Sequence, residues 1–274
     1  MDIVTGEKLQ LLCDVFLGFS CDFNCNPFIN QRMTHQIFVD FRFFEEYDNP
    51  KRLYCFGHRL NELSLHIHKF KNPFILISHN SDYNITNCQS IKNILKCPNL
   101  IKLYGQNVNY SHEKIKFLPI GMANRMWEHG NPALFENIVL KKKTKKVYMN
   151  FKIETNILAR ELCHKVLRSK IHFLPFVEPR CNILTLQKYE FSICPEGNGL
   201  DTHRFWESLY VKTVPILLKS IFSENIKNKT GLPMILLDNW TDLNVEELPD
   251  YNTFNFEPCN TYLSMKYYTK LLQT

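Results

Sequence analysis

The chain has 274 residues, 45% of them hydrophobic and 22% charged, with 21 Phe, 12 Tyr and 3 Trp to anchor a core; this excludes global disorder and leaves room for one large domain or two small ones. Lys and Arg total 33 against 27 acids, a net charge of +6 that favours solubility without demanding a polyanionic partner. No run approaches the roughly 18 apolar residues of a membrane span, and residues 1–23 lack the basic start and apolar stretch of a secretory signal, so a cytoplasmic chain with no membrane span is expected, its ten Cys reduced.

In chain order, residues 36–40 and 73–78 are short β-branched runs with polar flanks, the pattern of buried parallel strands. Between them, residues 59–69 place Leu60, Leu63, Leu65 and Ile67 at helical spacing. A helix at 90–95, strands at 101–104 and 116–119, and a helix at 132–140 follow. The run from Lys141 to Lys146, broken only by Thr144, reads as a solvated connector entering a strand, not as a nucleic-acid patch, because no RNA-binding signature accompanies it. Beyond it, strands are expected at 147–151, 172–176, 191–194, 214–218 and 234–237. The clearest helix is 155–169, with Ile157, Leu158, Leu162, Val166 and Leu167 as its apolar stripe. Strands alternating with helices specify an α/β fold with parallel sheets. The expected arrangement is two Rossmann-like domains facing a cleft, residues 1–145 and 146–274.

Metal-ligand spacing is thin. Cys21 and Cys25, and His66 and His68, are tight pairs of soft ligands, and neither has the second pair a structural zinc site needs. The chain also contains no Asp-x-Asp, the carboxylate pair with which many sugar-nucleotide enzymes hold a divalent metal. No metal and no cofactor are expected.

Gly is scarce, 9 residues in all, so the pair Gly197 and Gly199 stands out. A strand ends near Cys194, Pro195 stops it, the two glycines open a tight loop around Asn198, and Asp201 is a suitable N-cap for the helix that follows. In a parallel sheet such a loop lies beyond the carboxyl end of a strand, where free N–H groups suit a phosphate. On the helix, Arg204 and Glu207 share one face, while Phe205 and Leu209 form another able to pack on the sheet. Two readings stay open: Arg204 on a diphosphate with Glu207 on ribose hydroxyls, or an ordinary i,i+3 ion pair.

The string Cys194-Pro-Glu-Gly-Asn-Gly-Leu-Asp-Thr-His-Arg-Phe-Trp-Glu-Ser-Leu-Tyr210, followed by Thr213-Val-Pro-Ile-Leu217, resembles the C-terminal signature of exostosin-like glycosyltransferases, including the short forms of bacteria and large DNA viruses. Segments 78–82, 104–107 and 118–131, and Asn150-Phe151 with Thr155, Asn156 and Arg160, look like other parts of the same short proteins, so the resemblance spans about 75–260. It implies a compact glycosyltransferase B fold and a donor site at Arg204, Glu207 and the loop Gly197, Asn198 and Gly199, with Asp201, His203, Asn124 and Arg125 also contacting substrate. It implies transfer of a sugar from a nucleoside-diphosphate sugar, with a UDP-sugar expected, to a glycan or other hydroxyl, inverting and independent of metal.

Such chemistry needs a base for the acceptor hydroxyl and positive charge or N–H dipoles for the leaving diphosphate. His79, Asp82 and Glu196 are the candidate bases, with His129 also near a strand end; a lone His or Asp in such a loop is more often a turn or cap residue than a base. Two competing readings are a catalytically silent protein that binds nucleotide sugars or glycans and, third, a nucleic-acid-binding protein, which would use the lysine run and exposed aromatics.

Overall fold

A computed structural model describes residues 2–24, 36–41, 51–130, 134–135, 138–175 and 177–273. The chain forms two compact units: an N-terminal one, residues 4–120 with the last residues from Tyr268 on, and a C-terminal one, residues 121–267 with the first three. The division thus falls between Ile120 and Gly121, upstream of the lysine run.

The N-terminal unit begins with α1 (Gly6–Leu11), β1 (Val15–Gly18), α2 (Ser20–Asn24), β2 (Ile37–Asp40), β3 (Arg52–Phe56), α3 (Leu60–His66) and β4 (Phe74–His79). It continues with α4 (Gln89–Leu95), β5 (Leu100–Gly105) and β6 (Ile115–Phe117). Its six strands are all parallel in the order β2-β1-β3-β4-β5-β6, so the strand order reverses at β1, as in a doubly wound sheet. Alternation along the strands sorts the core: Val15, Leu17, Leu53 and Cys55 join α3 and α4 on one face, while Phe16 meets Tyr54 and Phe56 edge-on on the other. Each such fully buried side chain contributes about 1.5–3 kcal/mol of transfer free energy. At the carboxyl ends of β4 and β5, Asn80 and Asn107 adopt left-handed φ values of 51° and 53°, which Asn tolerates better than most residues. Gly105 is needed because a Cβ there would overlap Ile85.

The C-terminal unit contains β7 (Lys145–Tyr148), α5 (Ile157–Leu167), α6 (Pro179–Leu186), β8 (Tyr189–Ile193), α7 (His203–Tyr210), β9 (Val214–Leu218), α8 (Ile221–Thr230), β10 (Ile235–Leu237) and α9 (Glu257–Tyr262). The last helix, α10, covers Met265–Gln273. Its four strands are parallel in the order β10-β9-β8-β7. Edge strand β7 carries exposed Lys145 and Lys146, with Lys146 paired to Glu190 at 2.9 Å, so the end of the lysine run guards an edge against strand pairing. Lys143 behaves differently. Its Nζ donates to Gln187 O at 3.0 Å, Val211 O at 2.8 Å and Thr213 Oγ1 at 3.0 Å, pinning the connector to the sheet.

Four expectations need correction. Residues 172–175 form no strand: Leu174 N–H donates to Met149 O, both carbonyls of Leu174 and Pro175 are taken by Asn150 Nδ2, and Pro175 lacks an N–H, so a ladder cannot propagate. Phe176 lies outside the described residues. The apolar stripe of α5 holds only in its second half: Leu167 is buried and Val166 packs against the core as expected, but Ile157, Leu158 and Leu162 are 58%, 88% and 57% exposed, and Cys163 is buried in their place. Asp201 does not cap α7; Thr202, extended at φ −126°, takes that place because the Asp201 carboxylate is engaged by Trp206. Of the helix expected at 132–140, residues 138–140 carry no regular structure, while 131–133 and 136–137 lie outside the described residues. Strands β1 and β3, unassigned from the sequence, complete the first sheet.

No helix among the described residues is long and apolar enough to cross a membrane. The nine described cysteines are all free.

Candidate functional site

Strand β8 ends at Ile193 beneath the glycine loop, as its sequence requires: Pro195 cannot extend the ladder, and Gly197 N–H turns back onto Gly199 O at 3.0 Å. Two side chains of the preceding helical segment fasten this loop. Asn156, the N-cap of α5, accepts from Ala159 N–H and donates its Nδ2 to Gly197 O at 2.7 Å. Arg160, one turn further on, donates Nε to Glu196 O at 3.0 Å and Nη1 to Lys152 O at 2.8 Å. Gly197 is the residue that lets the arginine in, since a Cβ there would sit 3.0 Å from Arg160 Nη2.

Arg204 and Glu207 lie on one face of α7 as their spacing predicts, and they are bonded to each other: Nε donates to Oε2 at 3.0 Å, with 18% and 8% of the two side chains exposed. The guanidinium also donates Nη1 to Asn150 O at 2.7 Å and Nη2 to Asn182 Oδ1 at 3.2 Å, and it lies 5.2 Å over the Tyr148 ring. Burial works against its charge, but the Glu207 carboxylate more than offsets this and holds Arg204 above its ordinary value. The pair therefore ties α7 to the end of β7 and to α6. Arg160 is in the opposite position. Burial and then the like charge of Arg204 push it below its ordinary value, and among the described residues it makes no ion pair, its hydrogen bonds ending on carbonyls.

A cavity of about 310 Å³ opens at the carboxyl ends of β8 and β9. Glu196 and Leu200 of the glycine loop line it, together with Lys219 and Ser220 at the end of β9, Leu162 of α5, and Trp240. This is where an open parallel sheet places its ligands. Lys219 is paired with Asp238 at 2.8 Å, and Ser220 caps α8 with a reciprocal box to Ser223. Buried Cys194 at the root of the loop has its thiol pushed up to about 11 by burial, which makes it an inert core residue.

Glu196 and Asn198 are exposed, while Gly197, Gly199 and Asp201 are buried. His203 opens α7 with Nδ1 2.8 Å from Gly121 O, and its ring meets His129 edge-on, which in turn stacks on Trp127. Asn124 is half-buried in that same segment, its carbonyl accepting from Trp127 N–H, and Arg125 is exposed. The C-terminal unit thus brings Gly197, Asn198, Gly199, Asp201, His203, Arg204 and Glu207 to one strand end. His79 and Asp82 belong to the N-terminal unit. His79 is 1% exposed, and both ring nitrogens are occupied: Asn80 N–H donates to Nδ1 at 2.8 Å, which fixes the proton on Nε2, 2.9 Å from Pro119 O. Asp82 is an exposed loop carboxylate.

Sequence reasoning named Asn156 and Arg160 as part of the resemblance without their contacts to the loop across some forty residues of chain, and it missed Asn182 under Arg204. Nothing local signals these contacts. Among the described residues no three His, Cys, Asp or Glu side chains gather as a metal site, and Cys25 lies outside them. A scan against protein-family models finds no match for this chain, and a search of curated proteins finds none.

Proposed function

We propose that this protein is a glycosyltransferase that moves a sugar from a nucleoside-diphosphate sugar, with a UDP-sugar as the first donor to test, to a glycan or other hydroxyl acceptor, with inversion and without a bound metal. The glycosyltransferase B arrangement is part of this proposal, for which two parallel α/β sheets are the compatible framework. The observation that carries it is the cavity of about 310 Å³ at the carboxyl ends of β8 and β9, walled by the loop whose sequence resembles the exostosin-like signature. The volume is at the lower end of small-molecule sites.

In this reaction the acceptor oxygen attacks the anomeric carbon, the bond from that carbon to the diphosphate breaks, and the leaving group takes the electron pair. The protein has to supply a base for the acceptor proton and fixed positive charge for the diphosphate. Asp82 and Glu196 are exposed carboxylates able to take a proton. His79 could do so only after giving up a backbone hydrogen bond. That saturated histidine is the one observation favouring the second reading, a protein that binds nucleotide sugars without turning them over.

A thermal-shift panel of nucleoside diphosphates and nucleotide sugars tests binding, since a ligand at about 100 times its Kd stabilises by roughly 2.7 kcal/mol. Release of nucleoside diphosphate in the presence of an acceptor then separates enzyme from binder. No shift with any nucleotide would overturn both readings.

A further inference from the structure

The lysine run meets the turn after α7 at the amino ends of β7, β8 and β9, the end of the sheet opposite the glycine loop. A cavity of about 230 Å³ there has Lys141, Lys142, Lys143, Lys212, Glu190 and Tyr251 in its wall. Lys141, Lys142 and Lys212 are exposed and make no ion pair among the described residues. The one carboxylate of the wall, Glu190, is paired with Lys146 at 2.9 Å.

Lys212 is an independent sign that this charge has a use. It follows the C-cap of α7 with a left-handed φ of 53°, a position that glycine or asparagine fills with less strain. The ordinary reason for a lysine at a helix C-terminus is the helix dipole. Lys143 already serves that end, donating Nζ to Val211 O at 2.8 Å. Burial lowers the Lys143 ammonium and the charge of Lys212 lowers it further. A strained residue that sets one cation against another is unfavourable in the free chain, and an anion in the cavity would offset the repulsion.

The adjoining cavity has the other polarity. About 290 Å³ in volume, it shares Leu140 and Lys212 with the first and is walled by Leu209, Tyr210, Phe256 and Leu263, with Asp2 as its one carboxylate. Leu140, which lines both, is 43% exposed. Together the two cavities reach the size of small-molecule sites, and both belong to the C-terminal unit.

We infer that the two cavities form one site for an amphiphile with a phosphate-type head, with Lys141, Lys142 and Lys212 holding the head and Leu140, Phe256 and Leu263 holding an aliphatic tail. Lysines bind phosphate as point charges, and apolar walls beside them favour a ligand that carries a tail over a free anion, because only the tail removes those walls from water. The site lies at the other end of the sheet from the proposed donor cavity and does not depend on that reading.

The test titrates decyl phosphate, below its micelle concentration, into the full chain by calorimetry, beside inorganic phosphate and decyl maltoside, which carries the same tail on an uncharged head. Decyl phosphate should bind roughly tenfold or more tightly than either. K212G removes the charge and relieves the left-handed backbone, so it should keep or raise the Tm while weakening decyl phosphate roughly tenfold; K212Q, which keeps a long side chain, should weaken it as much. L140Q should weaken decyl phosphate and leave inorganic phosphate unchanged. Inorganic phosphate or decyl maltoside binding as tightly as decyl phosphate would overturn the inference, as would no decyl phosphate binding by the wild-type chain. Decyl phosphate affinity unchanged in K212Q or in L140Q would do the same. None of these outcomes bears on the glycosyltransferase reading, which the nucleotide panel tests separately.

Discussion

Asp201 and Trp206 are joined by a 2.6 Å hydrogen bond, the indole Nε1 donating to Asp201 Oδ1, inside the turn where the glycine loop becomes α7. Both residues are buried. The carboxylate therefore belongs to the core of the turn and holds the loop against the first turn of the helix. D201A would leave the indole N–H unpaired and should destabilise the protein by about 1–3 kcal/mol, whereas D201N keeps an acceptor and should cost less. Urea denaturation curves compare the two; equal stability of D201A and wild type would remove the bond from the account.

Glu207 faces a double test because its partner is also buried. E207A leaves the Arg204 guanidinium without its carboxylate and should cost roughly 3 kcal/mol of stability, so loss of binding in that variant alone would be uninformative. E207Q keeps the shape and should fold. If Glu207 contacts the ribose, E207Q should bind nucleoside diphosphates roughly tenfold more weakly, the worth of a charge-assisted hydrogen bond. Wild-type affinity by titration calorimetry would take Glu207 out of the site.

Lys143 makes stability depend on pH. Burial pushes its ammonium from an ordinary 10.5 down to about 7, with Lys212 adding to the effect and Glu190 opposing it. Between those values the unfolded chain holds a proton that the folded chain has lost, so this group makes stability rise with pH above about 7. Buried thiols such as Cys163 and Cys259 are shifted upward by burial and act in the opposite sense once unfolded thiols ionise. The comparison is therefore made between pH 6.5 and roughly 7.5, below the ordinary thiol value. Wild type should gain stability over that range more steeply than K143M in urea melts; parallel curves would show that Lys143 stays charged on its three acceptors.

Metal independence is a prediction from the sequence, which lacks the Asp-x-Asp pair. Once a donor is known, turnover should persist in EDTA. Complete loss, with rescue by manganese, would assign the leaving-group charge to a metal and reduce Arg204 to an accessory role.

The sequence by itself determined the class of fold and the place of the loop, because both are local properties. Runs such as residues 214–218 match a strand to the residue, and a strand stopped by Pro195, two glycines and a helix with apolar and polar faces can be read without knowing what they touch. Spacing alone put Arg204 and Glu207 together, since i and i+3 meet on any helix. Tertiary structure decided the rest. Which face of α5 is buried depended on what packs beneath it, so Leu167 reached the core as its spacing suggested while Cys163 took the place of the more apolar Ile157, Leu158 and Leu162. Whether residues 172–175 became a strand depended on Asn150 claiming their carbonyls. Which arginine is paired with a carboxylate depended on contacts between segments distant in the chain: Glu207, Asn150 and Asn182 saturate Arg204, while Arg160 meets two carbonyls and the Phe151 ring. Charge compensation is a property of neighbours in space, and residue order carries no record of them.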